Sequence, residues 1–246
     1  MGDIMRKALV TSVALLALSA TTAAAGTVNF YWTDCGGNGG TSNRNFACTA
    51  STAIAPAAGS FTLSAPMADF DAIEVTVDLQ VEDTVIPPWW DFTPSPGACH
   101  GTSLSMTFDF SVFPNGSGAC TDPFGQPATG ALASYVETGN RARAIGVAAI
   151  DASAPVPLIA ATEYYGVRLA LKQDKATGVG SCAGCTLPVA LVLNNIRALG
   201  NSQTSIEDCE AVQTSQCITW QSAGAATCLA TPTRNRTWGQ VKSLYR

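Results

Sequence analysis

The nine cysteines of this 246-residue chain constrain its fold more than any other feature. All of them follow residue 34: Cys35, Cys48, Cys99, Cys120, Cys182, Cys185, Cys209, Cys217 and Cys228. In an oxidising compartment such cysteines pair into disulfides that cross-link loops, whereas in the cytosol they stay reduced. The first question is therefore whether the chain is exported.

The first 25 residues have the features of a secretory signal peptide. Arg6 and Lys7 precede an apolar run over residues 8–20, and the small residues 23–25 fit the rule for a cleavage site. The run is shorter than the roughly 20 residues that a membrane-spanning helix needs. We therefore predict cleavage before Gly26 and a mature chain that is periplasmic, at the cell surface or secreted, without membrane insertion.

Export predicts that most of the cysteines form disulfides, with one left over because their number is odd. Cys35 with Cys48 and Cys99 with Cys120 are the favoured local pairs, since each would close a segment rich in Gly, Ser or Pro. A disulfide that closes a loop of such length stabilises a fold by about 2 to 4 kcal/mol in the chain-entropy treatment.

Cys182 and Cys185 form a C-x-x-C motif with three competing interpretations. A redox pair of the thioredoxin type would start a helix, but the apolar segment 187–196 has the pattern of a buried strand. A zinc site would need two later cysteines, at a spacing unlike that of zinc fingers. Export to an oxidising compartment favours structural disulfides over a metal site. We expect the unpaired thiol to be Cys185 or Cys228.

Alternation of apolar and polar residues predicts the secondary structure. Segments 72–81, 103–112 and 163–172 each place apolar side chains on one face, as half-buried strands do. Five weaker candidates bring the total to about eight strands: 28–34, 59–65, 142–150, 187–196 and 217–221. We predict an all-β fold over residues 26–233, an antiparallel β-sandwich with disulfide-stapled loops, and a jelly roll as the alternative.

Residues 234–246 form a basic, aromatic C-terminal tail. Thr237 can cap a short helix that places Trp238, Val241 and either Leu244 or Tyr245 on one side. Two interpretations remain open for this tail: a terminal helix docked on the domain, or a sorting signal.

Charge and motif content exclude several functions. The formal net charge of −5 provides no electrostatic footprint for nucleic acid. Neither a G-x-S-x-G nor an H-E-x-x-H motif is present, so no catalytic residue, metal or cofactor is predicted. Carboxylate pairs can support glycoside hydrolysis without histidine, but the favoured interpretation of each candidate group is a solvated loop or strand end. The candidate groups are Asp69 with Asp71, Glu82 with Asp83, and Glu207 with Asp208 and Glu210.

The segment PPWWDFTPSPGACHG at 87–101 holds the candidate ligand-binding residues Trp89, Trp90, Asp91 and His100, the only histidine. Neighbours in an extended segment point in opposite directions, so one indole could cap the core while the other faces solvent and stacks on a sugar ring. The favoured interpretation is that both indoles fill the end of the core, because large aromatic side chains are usually buried. His100 is expected to be an exposed loop residue without a catalytic role.

Several segments resemble a group of uncharacterised secreted bacterial proteins: PPWWDFTPSPGACHGTSLS, SCAGCTLPVALVLNNI, TWQ and the ending TPTRNRTWGQVKSLYR. Members of that group carry a tryptophan pair before a cysteine, a C-x-G-C before an apolar strand, and a W-G-x-[VI]-K-x-L-Y-R terminus. The resemblance implies export and a shared fold, and it implies no activity. His100 stands where the group tends to have arginine, and Ala190 where it tends to have cysteine, which would account for the odd cysteine count.

These features together predict a secreted, non-catalytic β-sandwich protein with a structural or binding role at the cell surface or outside the cell. One alternative is a carbohydrate-binding module that presents the Trp89 and Trp90 loop to a polysaccharide. The other is a carboxylate-dependent hydrolase.

Overall fold

A computed structural model describes residues 26–95, 98–110, 120–200, 205–210 and 214–221. The predicted signal peptide, the predicted C-terminal helix and the pairing of Cys228 lie outside these ranges.

The described residues form twelve strands and three short 3-10 helices, which confirms the all-β prediction. The strands are β1 Gly26–Trp32, β2 Asn43–Arg44, β3 Ile54–Thr62, β4 Met67–Val81, β5 Leu104–Thr107, β6 Thr129–Thr138, β7 Arg141–Ala149, β8 Val156–Leu158, β9 Tyr164–Lys172, β10 Val189–Gly200, β11 Ser205–Glu210 and β12 Cys217–Trp220. The 3-10 helices are Gly36–Asn38, Pro88–Trp90 and Thr214–Gln216. Within the described ranges, no helix has the length and apolar character needed to cross a membrane.

The strands belong to one mixed sheet whose main order is β5-β9-β3-β1-β11-β10-β4-β7-β6. Most neighbours are antiparallel, but β1 with β11 and β2 with β12 are parallel. The end strands β5 and β6 approach each other, so the sheet curves into a nearly closed, barrel-like form. A sandwich of two stacked sheets is therefore only an approximate description, because alternation predicts which face is buried and not the order of the strands.

The core lies on the concave face of this sheet. In β4 the alternate residues Ile73, Val75 and Val77 are buried as the sequence predicts. Val77 lies opposite Leu193 of β10, and the two strands pair over most of their length, with register shifts at Asn194 and between Leu199 and Gly200. These paired apolar side chains supply the continuous buried face on which the sheet closes.

Three disulfides between described residues connect distant parts of the chain, and both predicted local pairs are wrong. Cys35 is bonded to Cys120, Cys48 to Cys185 and Cys99 to Cys182, with Cα–Cα distances of 5.7, 5.9 and 6.0 Å. The pairs are separated by 85, 137 and 83 residues. The loops meet only after the sheet has closed, so nearness in sequence was a poor guide to the partners. Cys182 and Cys185 bind different partners, which excludes the redox pair and the zinc site.

Cys209 on β11 is a free thiol, so the predictions that it is disulfide-bonded and that Cys185 is unpaired are wrong. Its Sγ donates to the carbonyl of Thr62 at 3.3 Å and lies against Gly26, where a Cβ would come within 2.6 Å of the sulfur. Burial, followed by the charges of nearby carboxylates, raises the pKa of the Cys209 thiol. The thiol is therefore a packed, unreactive group. Cys217 is disulfide-bonded.

Candidate functional site

Three loops meet at one end of the sheet, and we call their described residues together the cap: residues 33–53, 82–95 with 98–103, and 173–188. They meet there because β1, β4 and β9 end, and β3, β5 and β10 begin, at the same edge of the antiparallel ladder. The disulfide between Cys48 and Cys185 joins the first loop to the third, and that between Cys99 and Cys182 joins the second to the third. The cap is thus cross-linked into one unit.

An aromatic cluster fills the space beneath the cap. The rings of Trp89 and Trp90 lie 4.9 Å apart, and each is within 5.3 Å of the Trp220 ring. Phe92 contacts Trp90 at 6.0 Å and Tyr135 of β6 at 5.5 Å. Such edge and tilted pairs each contribute about 0.5 to 1.5 kcal/mol beyond the burial of their area.

Both tryptophans of the pair are 0% exposed, which confirms the favoured interpretation that both fill the end of the core and excludes the one in which an indole faces solvent. The physical reason is the backbone, because residues Pro88–Trp90 form a 3-10 helix and not an extended segment. The Trp90 indole N–H donates to the carbonyl of Gly184 at 3.1 Å. The indole nitrogen of Trp89 has no hydrogen-bond partner among the described residues. The pair belongs to the core and presents no ring face to a sugar.

His100 is also buried, which corrects its prediction as an exposed loop residue. Its Nδ1 lies 2.7 Å from the carbonyl oxygen of Trp89, and its Nε2 lies 2.8 Å from Oδ1 of Asp174. The ring packs on Trp89 with centroids 4.5 Å apart. Because both partners are acceptors, both hydrogen bonds form together only when each ring nitrogen carries a proton.

Ser103, His100 and Asp174 have the residue types of a catalytic triad but not its geometry. In a triad the histidine lies between the serine and the carboxylate. Here Ser103 Oγ donates directly to Asp174 Oδ1 at 2.5 Å. The two nitrogens of His100 bind Asp174 and the Trp89 carbonyl, so neither contacts Ser103. Ser103 is only 2% exposed. The arrangement holds the cap loops together and leaves no activated nucleophile.

A groove of about 420 Å³ runs along the rim of the cap next to this cluster. Its polar lining includes Ser95, Thr102, Asp174 and Lys175. The Asp174 side chain is 40% exposed, so its carboxylate is accessible from the groove while Oδ1 binds His100 and Ser103. The groove presents accessible polar groups of the cap and could hold a small polar ligand.

Asp91, a predicted site residue, faces Glu137 of β6, which the sequence analysis missed. Burial, then the charge of Asp91 and a hydrogen bond to it, raise the pKa of Glu137 to about 7. The Asp91 Oδ1 also accepts the N–H of Thr93 at 2.9 Å, and Tyr135, two residues before Glu137, donates its hydroxyl to the Trp90 carbonyl at 2.7 Å. No sequence signal joins these carboxyls, because one lies in a loop and the other on a distant strand.

The carboxylate groups predicted from spacing serve other purposes. Glu82 and Asp83 are exposed, whereas Asp71 is buried. Asp208 accepts the Nε–H of Arg197 at 2.8 Å, and Glu207 accepts the backbone N–H of Ser64 at 2.5 Å. The Glu210 side chain lies outside the description, and Asp69 is half-buried on β4. Selecting carboxylates by their spacing in the sequence thus gave charged residues near strand ends. It did not find Asp91 and Glu137, which are far apart in the sequence.

The one group of potential metal ligands among the described residues is Asp34, Cys35 and Cys120. The two sulfurs are bonded to each other, so neither is a thiolate that could bind a metal. Asp34 instead accepts the N–H of Cys35 and the side-chain amide of Asn38, both at 2.8 Å. This group stabilises the turn after β1.

Comparison with known proteins gives no match to a family model, to a curated protein or to a solved structure. The resemblance to secreted bacterial proteins therefore remains a prediction. The function has to be argued from the geometry of the cap.

Proposed function

We propose that this chain is an exported, non-catalytic β-domain with a structural or binding role at the cell surface or outside the cell. The observation that supports this most is the cap, in which two long-range disulfides enclose an aromatic cluster. Disulfides of this kind persist in oxidising compartments. Buried polar groups of the cap, among them His100, Ser103 and Asp174, form hydrogen bonds that hold its loops together.

A binding role would use the groove at the rim of the cap. Asp174 and Lys175 place opposite charges beside hydroxyl groups, a combination that suits a polar, hydroxyl-bearing ligand such as a polysaccharide of the cell surface. Stacking on Trp89 or Trp90 does not support this role, because neither indole is exposed. A carbohydrate-binding function therefore rests on the groove alone.

A carboxylate-dependent hydrolase is the second candidate, favoured by the Asp91–Glu137 pair. A carboxyl group with a pKa of about 7 beside a second carboxylate can act as a general acid near neutral pH. Hydrolysis of a glycan or ester panel by the wild type that is lost in Glu137→Gln would establish this function and overturn the non-catalytic proposal.

The first test is the covalent state of the protein after secretion from a bacterial host. We expect an intact mass that begins at Gly26, no bound metal, and a single thiol labelled after denaturation without reductant, at Cys209. Peptide mapping should recover the Cys48–Cys185 and Cys99–Cys182 links, and Cys209→Ala should carry no label. Several labelled thiols together with bound zinc would contradict the proposal.

Binding is tested with polysaccharides prepared from bacterial envelopes. Lys175→Ala should weaken binding about tenfold if the groove holds the ligand through a charged hydrogen bond. The matched control is Lys172→Ala, which removes an exposed lysine at the end of β9 that does not line the groove. Equal loss in both variants would show non-specific charge attraction, and unchanged binding in both would remove the groove from the proposed function.

A further inference from the structure

A pocket of about 300 Å³ lies on the outer face of the sheet, where β4, β7 and β6 run side by side. We call it the arginine pocket, and its lining includes Asp78, Ser134, Val136, Thr138, Arg141 and Arg143. All of these residues lie within the described ranges, and none belongs to the cap. The pocket is therefore a second surface feature, separate from the groove at the rim of the cap.

The strand register brings these side chains to one face. In the β6–β7 hairpin, Thr138 lies opposite Arg141 and Val136 lies opposite Arg143. On the other side of β7, Arg143 lies opposite Asp78 of β4. Residues that are directly opposite, or two apart along a strand, share a face of the sheet. The ladder of three strands thus fixes the spacing of both arginines more firmly than a loop would.

Arg143 is held in a fixed orientation by Asp78. Its Nε and Nη2 donate to the two carboxylate oxygens at 2.7 and 2.8 Å, which is a bidentate pairing. The Asp78 side chain is 8% exposed and that of Arg143 is 44% exposed, so the carboxylate lies beneath a guanidinium that solvent still reaches. The third nitrogen, Nη1, forms no hydrogen bond with a described residue and is left as a donor.

Arg141, two residues earlier on β7, is partly exposed and lines the same pocket. Its guanidinium forms no ion pair or side-chain hydrogen bond with a described residue. A guanidinium stays charged at every physiological pH and presents five N–H donors in a planar fork. The donors of Arg141 are therefore available to an acceptor from solution.

The pocket offers donors and a positive charge. Two guanidinium groups and one carboxylate give its lining a net charge of +1, whereas the whole chain carries −5. Both oxygens of Asp78 already accept from Arg143, so the remaining polar groups are guanidinium donors and the hydroxyls of Ser134 and Thr138. Beside them, Val136 is 59% exposed and offers an apolar contact. A ligand that matches these groups carries an oxyanion on a small carbon skeleton.

We propose that the arginine pocket binds the carboxylate or phosphate group of a small organic acid, such as an acidic sugar. Arg141 supplies the main charged hydrogen bonds, and Arg143, positioned by Asp78, supplies Nη1. Carboxylates and phosphates both present pairs of oxygens that fit the guanidinium fork. This site goes beyond the structural or binding role proposed above and does not rest on it, because that role uses the cap.

NMR titration of the full-length, oxidised protein tests the proposal. The probes are inorganic phosphate, glucose 6-phosphate and galacturonate, with neutral galactose for comparison, at a constant ionic strength of about 0.1 M so that screening does not vary. We expect saturable shifts at the Arg141 Nε–H and at the backbone amides of residues 134–143, with the tightest probe identifying the oxyanion. No saturation with any of the three anions, or equal shifts with galactose, would overturn the proposal.

Variants of Arg141 test whether binding depends on the pocket or on charge alone. Arg141→Gln should weaken binding about tenfold, because it removes a charged hydrogen bond. Arg141→Lys keeps the charge but loses the fork, so it should retain only part of the affinity. The matched control is Arg44→Gln, which removes an exposed arginine of β2 that does not line the pocket and should leave binding unchanged. Equal weakening in Arg141→Gln and Arg44→Gln would show non-specific attraction and overturn the proposal.

If Arg141→Gln does not fold, Thr138→Val tests the same pocket from β6. The change keeps a β-branched residue at an exposed strand position and removes only the hydroxyl. Binding should weaken about two- to tenfold, as expected for the loss of one hydrogen bond. Affinity that is unchanged in every folded variant of Arg141 and Thr138 would overturn the proposal.

Discussion

The cap and the wall formed by β4, β7 and β10 are held together by different forces. In the wall, strands of nine to fifteen residues pair in long ladders, and each apolar side chain is supported by neighbours on both sides. In the cap, irregular loops are joined by two disulfides, a few ring contacts and the His100–Asp174 pair.

This difference predicts in which region the loss of a single side chain has a large effect on structure. The wall distributes its stability over many equivalent contacts, so the loss of one side chain leaves the ladder intact. The cap concentrates its stability in a small number of unlike contacts, each of which fixes a different loop. Changes in the cap should therefore alter local order as well as global stability, whereas changes in the wall should alter global stability alone.

Trp220→Ala should have the largest effect, because Trp220 contacts both Trp89 and Trp90 and donates its N–H to the carbonyl of Cys185 at 2.6 Å. We expect a loss of about 3 to 5 kcal/mol in the free energy of unfolding, measured by urea titration, together with loss of the near-ultraviolet signal. Leu193→Ala in the wall should cost about 2 to 5 kcal/mol and keep that signal. Loss of the signal in both variants would break the distinction between the two regions.

Removal of one cap disulfide, by Cys99→Ala with Cys182→Ala, should cost about 2 to 5 kcal/mol. The bond crosses 83 residues, so its loss frees the unfolded chain and also releases the 82–103 loop from its neighbour. Urea titration gives the cost, and hydrogen exchange should show faster exchange at Trp89 with β4 unchanged. Cys209→Ala, which removes a buried thiol without breaking a disulfide, is the control and should leave exchange in the cap unaltered.

His100→Ala should cost about 1 to 3 kcal/mol, because it leaves the buried carbonyl of Trp89 without its donor. Ser103 still donates to Asp174, so the carboxylate keeps part of its support. Urea titration measures the loss. Thr102→Ala changes an exposed residue of the same groove and should stay within about 0.5 kcal/mol of the wild type. An equally small change in His100→Ala would show that the loop does not depend on this histidine.

The wall was predictable from sequence and the cap was not, for a physical reason. Alternation from Ile73 to Val81 follows from a pleated strand with one face buried, so the pattern is local and readable. The partners in the cap, such as Cys48 with Cys185, come together only when the sheet has curved and brought the ends of several strands to one edge. No local sequence pattern therefore predicts which residues of the cap become partners.

The candidate residues show the same division. Trp89, Trp90, Asp91 and His100 were chosen because they lie close in sequence, and the structure does gather them in one region. Their roles depend on partners that are far away in sequence, above all Asp174 and Glu137, and these were missed. The alternative with one exposed indole assumed an extended segment, but residues Pro88–Trp90 form a 3-10 helix and both rings are buried.

The smallest predicted effect belongs to the ion pair on the outer face of the wall. Arg143 binds Asp78 through two parallel bonds, Nε to Oδ1 at 2.7 Å and Nη2 to Oδ2 at 2.8 Å, and its own side chain is 44% exposed. The Asp78 side chain is only 8% exposed, so solvent reaches the pair mainly from the Arg143 side. A double-mutant cycle of Arg143→Ala with Asp78→Ala should give a coupling of about 1 kcal/mol, because the bidentate geometry offsets part of the solvent screening. The coupling energy should decrease in about 1 M salt, where the Debye length is about 3 Å and exposed charges are strongly screened. A coupling of several kcal/mol that resists salt would mean that the wall, like the cap, depends on single contacts.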